Sequence, residues 1–171
     1  MTAPPVVRKA TLTLHVTSSV GWLGAVVVAV ALSAVVAGSS DAQLVRAGYL
    51  VLDRIGWWVL VPLAVASLVS GVLQSLLTPW GLVRHWWVVV KLVLTVLATG
   101  VLLLYTGTLG RLAATARIAD GSAVPLSSSP LVHSLGALVV LLGAVVLSVH
   151  KPRGLTRYGW RMQQAGRAPR A

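Results

Sequence analysis

Four long, predominantly apolar runs constrain this chain more than any other feature. They cover about residues 10–37, 55–77, 86–108 and 131–149. A helix of about 20 residues, rising 1.5 Å per residue, crosses a hydrocarbon core of ~30 Å. Backbone in lipid must satisfy its own hydrogen bonds, which leaves helices or closed barrels. The alternating pattern of a barrel strand is missing. The expected fold is all-α: a single-domain, integral membrane four-helix bundle spanning 1–171, with a basic tail at 150–171.

Composition agrees and removes other classes. The chain is 57% hydrophobic and 10% charged, where a soluble domain carries about a quarter charged residues. A net charge of +11 alone would suggest a nucleic-acid partner, but the hydropathy excludes that class. Without cysteine there is no disulfide, thiol chemistry or iron–sulfur site. There is no glutamate, and Asp41, Asp53 and Asp120 do not supply the paired carboxylates of an acid–base hydrolase. A cleavable signal peptide, with Arg8 and Lys9 as its charged start, would need a shorter apolar stretch than the first run. It would also not carry His15, Ser18 and Ser19 inside that stretch.

The loops set the orientation. Gly38–Ser39–Ser40–Asp41, Thr78–Pro79–Trp80–Gly81 and the segment from Asp120 to Pro130 read as turns and loops. Residues from Gly110 to Arg117 extend the third helix past the lipid. Arg8, Lys9, Arg84, Lys151, Arg153, Arg157, Arg161, Arg167 and Arg170 fall on one side after four crossings. Arg46, Arg54, Arg111, Arg117 and every aspartate fall on the other. The positive-inside rule then predicts a multi-pass protein of the inner membrane with both termini cytoplasmic. Trp57, Trp58, Trp80, Trp86 and Trp87 sit near helix ends, as in an interfacial aromatic belt. In the tail, Arg153, Arg157 and Arg161 are four apart and share a face if that piece is helical. They serve either as a contact to anionic lipids or as a solvated tail that fixes topology.

Polar residues interrupt the spans at helical spacing. The first carries Thr11, His15, Ser18, Ser19 and Trp22; the second Ser67, Ser70, Gly71 and Gln74; the third Lys91, Thr95 and Thr99. Small and hydroxylated residues commonly line helix–helix contacts in membranes. Lys91 is different, because an ammonium in lipid is costly unless paired or snorkelled to the surface. It lies about 10 Å deeper than Arg84, and no acidic residue is predicted on its side. An anionic ligand would supply the missing charge. His15, Lys91 and His150 are expected to cluster near the cytoplasmic side, with His85 at the rim. His133 is predicted alone near the opposite face, about 25 Å from His150 along their shared helix.

Two imidazoles from facing helices can hold the iron of haem b, so His15 and His150 are candidate metal ligands. Trp22 and Lys91 complete the candidate cofactor site. Arg8, Lys9, Arg84 and Arg153 would meet the propionates. His15 could alternatively carry protons. His85 and His150 equally fit ordinary interfacial positions. A bare metal site is a poorer fit, because carboxylate and thiolate ligands are missing nearby.

Leu14–His15–Val16–Thr17–Ser18–Ser19–Val20–Gly21–Trp22–Leu23–Gly24 resembles the opening helix of CopD-like copper-resistance membrane proteins. It is also similar to that of HemJ-type protoporphyrinogen oxidases. The latter likeness implies a small four-helix protein associated with haem b, in which a first-helix histidine and a third-helix lysine matter. His15 and Lys91 match those positions. Val149–His150–Lys151–Pro152 is similar to the HemJ Lys-Pro terminus. Met1, Met162 and no cysteine are poor equipment for Cu(I) transport. Gln74 to Leu82 and Arg84–His85–Trp86 resemble a family of uncharacterised actinobacterial four-helix integral membrane proteins.

The leading expectation is therefore a small membrane protein binding haem b or another anionic amphipathic redox ligand. The alternative is a non-catalytic accessory subunit of a larger membrane complex. Expected partners are the bilayer, anionic lipids at the tail, and a second copy or complex subunit, with no nucleic acid. A transporter is less well supported, because paired Gly/Pro interruptions of broken helices are missing, although Pro62 is expected to kink the second helix.

Overall fold

A computed structural model describes residues 3–78, 81–119, 124–152 and 154–165. Trp80, Asp120, Arg153, Arg167 and Arg170, which entered the expectations above, lie outside the described residues. The described chain is helical: α1 (Pro5–Ala37), α2 (Ala42–Ile55), a π-turn (Gly56–Leu60), α3 (Val61–Leu77), α4 (Trp86–Ile118), α5 (Ser129–His150) and α6 (Arg157–Ala165). Among the described residues, four helices are long and apolar enough to cross a membrane: Pro5–Ala37, Ala42–Leu77, Trp86–Ile118 and Ser129–His150. The chain is a four-helix membrane protein, as its apolar runs predict.

The second span differs from expectation. It does not begin at residue 55 but continues back through α2 to Ala42. Val45, Gly48, Tyr49 and Leu52 are buried in α2, at the spacing of one helix face. The side chain of Asp41 caps this helix, accepting from the Gln43 N–H at 2.9 Å. The charges Asp53 and Arg54 therefore lie inside a helix rather than ahead of one. Pro62 follows the π-turn. Proline has no N–H to continue the ladder and crowds the preceding turn. The backbone here widens to an i→i+5 register, with the Val61 N–H bonded to the Gly56 carbonyl.

The spans form a ring. α1 packs on α3 and α5, and α4 packs on the same two, while neither α1 and α4 nor α3 and α5 approach closely. That leaves room along the axis. The 22 residues of α5 are about 33 Å long, whereas the 33 of α1 are about 50 Å. The excess emerges at one end, where α2 packs on both α1 and α4. Tyr49 fastens the 124–128 segment across this projecting end. Its hydroxyl accepts from the Ser127 N–H at 2.8 Å and donates to the Pro125 carbonyl at 3.4 Å.

At the opposite end the chain after α5 folds back as a strap. Lys151 takes a left-handed conformation, φ 42°, and Pro152 follows, so α5 stops there. The Trp86 N–H then donates to Gly154 O at 3.3 Å, and Thr156 N–H to Arg84 O at 3.0 Å. The Thr156 hydroxyl donates to Val83 O and accepts from the Gly159 N–H at 3.1 Å. One threonine thus ties the strap to the α3–α4 loop and caps α6. The start of α1, this loop and the strap occupy one end, so Arg8, Lys9, Arg84, Arg157 and Arg161 gather there. Arg157 and Arg161 share α6.

Candidate intramembrane ligand site

Between α1 and α3, the polar stripes predicted from spacing meet side by side. Thr11 Oγ1 donates to Gln74 Oε1 at 2.7 Å. His15 Nδ1 lies 3.1 Å from Ser67 O and 3.2 Å from Ser70 Oγ. The Ser19 and Ser67 hydroxyls are 2.7 Å apart. Positions 11, 15 and 19 recur every four residues, so they share a face and engage α3 running the other way. Gly71 makes space for the imidazole: a Cβ there would come within 3.0 Å of His15 Cε1. A carbonyl can only accept, so His15 Nδ1 carries the proton toward Ser67 and Nε2 keeps its lone pair.

Lys91 approaches from α4. Its Nζ donates to Ser148 Oγ on α5 at 2.9 Å, and Ser148 passes its own proton to the Ala144 carbonyl at 2.8 Å. The lysine thus points into the ring rather than out to lipid. Thr95 and Thr99 continue its stripe, each hydroxyl donating 2.8 Å back to the carbonyl four residues earlier.

Most of these groups, among them His15, Ser67, Gln74, Lys91, Thr95 and Ser148 but not Thr11, Ser70 or Thr99, border one cavity of about 400 Å³ on the strap-end half of the axis. Its size falls in the range of small-molecule sites. Lys151 also lines it, and among the described residues no aspartate or glutamate does. Trp22, 2% exposed, forms its floor and also lines a second cavity farther along the axis.

The structure therefore brings His15, Trp22 and Lys91 to one site. It does not bring His150 there. That ring is exposed, its Nδ1 3.1 Å from the Val146 carbonyl of its own helix, and it is missing from the cavity lining. His85 is likewise outside the lining. His133 stands in the other half, stacked on Tyr105 with ring centroids 3.9 Å apart. Among the described residues no three His, Cys, Asp or Glu side chains group as a metal site. Ser148 has no signal of its own in the sequence, and Lys151 reads there only as a topology charge and as part of the Lys-Pro likeness. Ser148 lies 57 residues from Lys91, and only the helix rotations place them together.

Compared with known protein families, curated proteins and solved structures, the chain matches none.

Proposed function

We propose that the strap-end cavity binds an anionic amphipathic ligand inside the bilayer, with Lys91 as its counter-charge and His15 as its polar or metal contact. The observation that carries this is the convergence of His15 and two lysines on one cavity bordered, among the described residues, by no acidic side chain. A half-buried ammonium whose hydrogen bond goes to a neutral hydroxyl is costly in lipid, and a ligand anion would offset that cost. Haem b is the leading candidate, in line with the HemJ resemblance of the first and third spans. The donor set fits one imidazole ligand, because His15 Nε2 retains its lone pair while Nδ1 is held by Ser67, a common way of orienting a ligating histidine. The chain orients the ring, excludes water with Trp22 and the aliphatic lining, and places cations for carboxylates. Bound haem would supply one-electron chemistry.

The protein is read as a multi-pass inner-membrane protein with the strap end cytoplasmic. The clustering of Arg8, Lys9, Arg84, Lys151, Arg157 and Arg161 at that end supports this, and α6 would then lie against anionic headgroups.

The test is to titrate the purified protein with haemin and with metal-free protoporphyrin IX. Both should bind saturably. Only haemin should show a Soret shift, and His15→Ala should abolish that shift while sparing protoporphyrin binding. Failure of both porphyrins to bind overturns the reading and leaves the accessory-subunit alternative.

A further inference from the structure

The second cavity lies beyond Trp22, in the half of the axis toward the projecting end, and encloses about 350 Å³. Its lining is almost wholly aliphatic and aromatic. Leu97 and Val101 of α4, and Val132 and Gly136 of α5, border it and are exposed. The cavity therefore opens sideways between α4 and α5, at the level of the acyl chains. Its walls include Trp22 and the stacked pair Tyr105 and His133, flat surfaces suited to a planar ring.

Of the polar side chains in the lining, Tyr105 and Ser134 have partners outside the cavity, in Ser129 and the Leu131 carbonyl, whereas Ser33 and His133 are informative. Ser33 borders the cavity and is 2% exposed, yet its hydroxyl has no hydrogen-bond partner among the described residues. Other helix serines here satisfy themselves: Ser18, Ser70, Ser75 and Ser148 each donate to the carbonyl four residues back. A buried hydroxyl without a partner is costly, and a ligand oxygen in the cavity would remove that cost. His133 directs Nδ1 at the Ser129 carbonyl, 2.9 Å away, so Nε2 keeps a lone pair able to accept from a hydroxyl.

We infer that this cavity is a second, independent binding site, for a lipid-soluble ring compound of the quinone and quinol class that enters between α4 and α5. Its chemistry is the opposite of the first site: neutral rather than anionic, entered from lipid, and recognised by one hydroxyl, one imidazole and aromatic faces. A quinone oxygen can accept from Ser33, and a quinol hydroxyl can donate to His133.

The test uses menadione, its two-electron reduced form menadiol, and 2-methylnaphthalene, which has the same rings without the oxygens. Binding to the full chain in detergent is followed by quenching of tryptophan fluorescence; Trp22→Phe shows that the quench arises at the wall the two cavities share, and Ser33→Ala and Gly136→Leu assign it to this one. Menadione and menadiol should bind saturably, and Trp22→Phe should lose much of the quench. Ser33→Ala should weaken menadione by about three- to tenfold, one hydrogen bond's worth, and leave 2-methylnaphthalene unchanged. Gly136→Leu, which fills the portal, should weaken all three. Absence of saturable menadione binding by the parent protein would overturn the inference. So would equal affinity for menadione and 2-methylnaphthalene, or a Gly136→Leu variant that folds and binds menadione normally.

Discussion

At the projecting end, Val36 and Tyr49 are each 1% exposed and Ala113 and Ala116 are 0% exposed. There α2 closes on both α1 and α4 without the help of α5. In the strap-end half the same α1 and α4 stand apart across a cavity, and what faces the axis is an imidazole, hydroxyls, an amide and an ammonium. A chain that only needed to hold four helices together could have closed its whole length as it closed the projecting end. The strap-end cavity is the one that gathers the polar side chains, whereas the cavity beyond Trp22 is almost wholly apolar. Polar and apolar cavities are thus segregated along the helices, with Trp22 between them and the tight packing of α2 beyond both.

Substitutions that separate these halves should differ in kind. The largest effect is expected from Gly48→Leu. Any Cβ at position 48 would collide with the Val36 side chain, so the two helices must part. A loss of about 3 kcal/mol or more is expected, read as a collapse of the thermal unfolding transition in detergent. Tyr49→Phe comes next. It strands the Ser127 N–H and the Pro125 carbonyl and should cost about 1–2 kcal/mol, while porphyrin affinity stays put. In the open half, Ser19→Ala removes a single hydroxyl pair and should cost only about 0.6 kcal/mol. Asp53→Asn is expected to be smallest, under about 1 kcal/mol. Its partner Arg117, at 3.7 Å, is 51% exposed. A Ser19→Ala loss as large as that of Gly48→Leu would erase the distinction between the halves.

Much of the open half is legible in the sequence, because helical periodicity puts Thr11, His15 and Ser19 on one face and Ser67, Ser70 and Gln74 on another before any coordinates are known. What periodicity lacks is the rotation of one helix against the next. His150 illustrates this: it ends α5 at the strap end, as expected, yet points away from His15. Ser148, two residues earlier, holds the inward position. The projecting end is less legible. α2 alternates polar and apolar faces instead of forming an apolar run, and Asp53–Arg54 looks like the charged start of a span. The available signals were local: Asp41 as a cap and the 45, 48, 49, 52 spacing of the buried face.

The central claim is that the open half selects its ligand by charge at Lys91. Equilibrium titration of protoporphyrin IX against the parent protein, Lys91→Met and Ser33→Ala tests it most directly. Lys91→Met should bind at least about tenfold more weakly, the loss of a charged contact in a low-dielectric site, with its unfolding midpoint unchanged or raised. Ser33→Ala should match the parent. A Lys91→Met variant that folds and binds protoporphyrin IX as tightly as the parent would contradict the account.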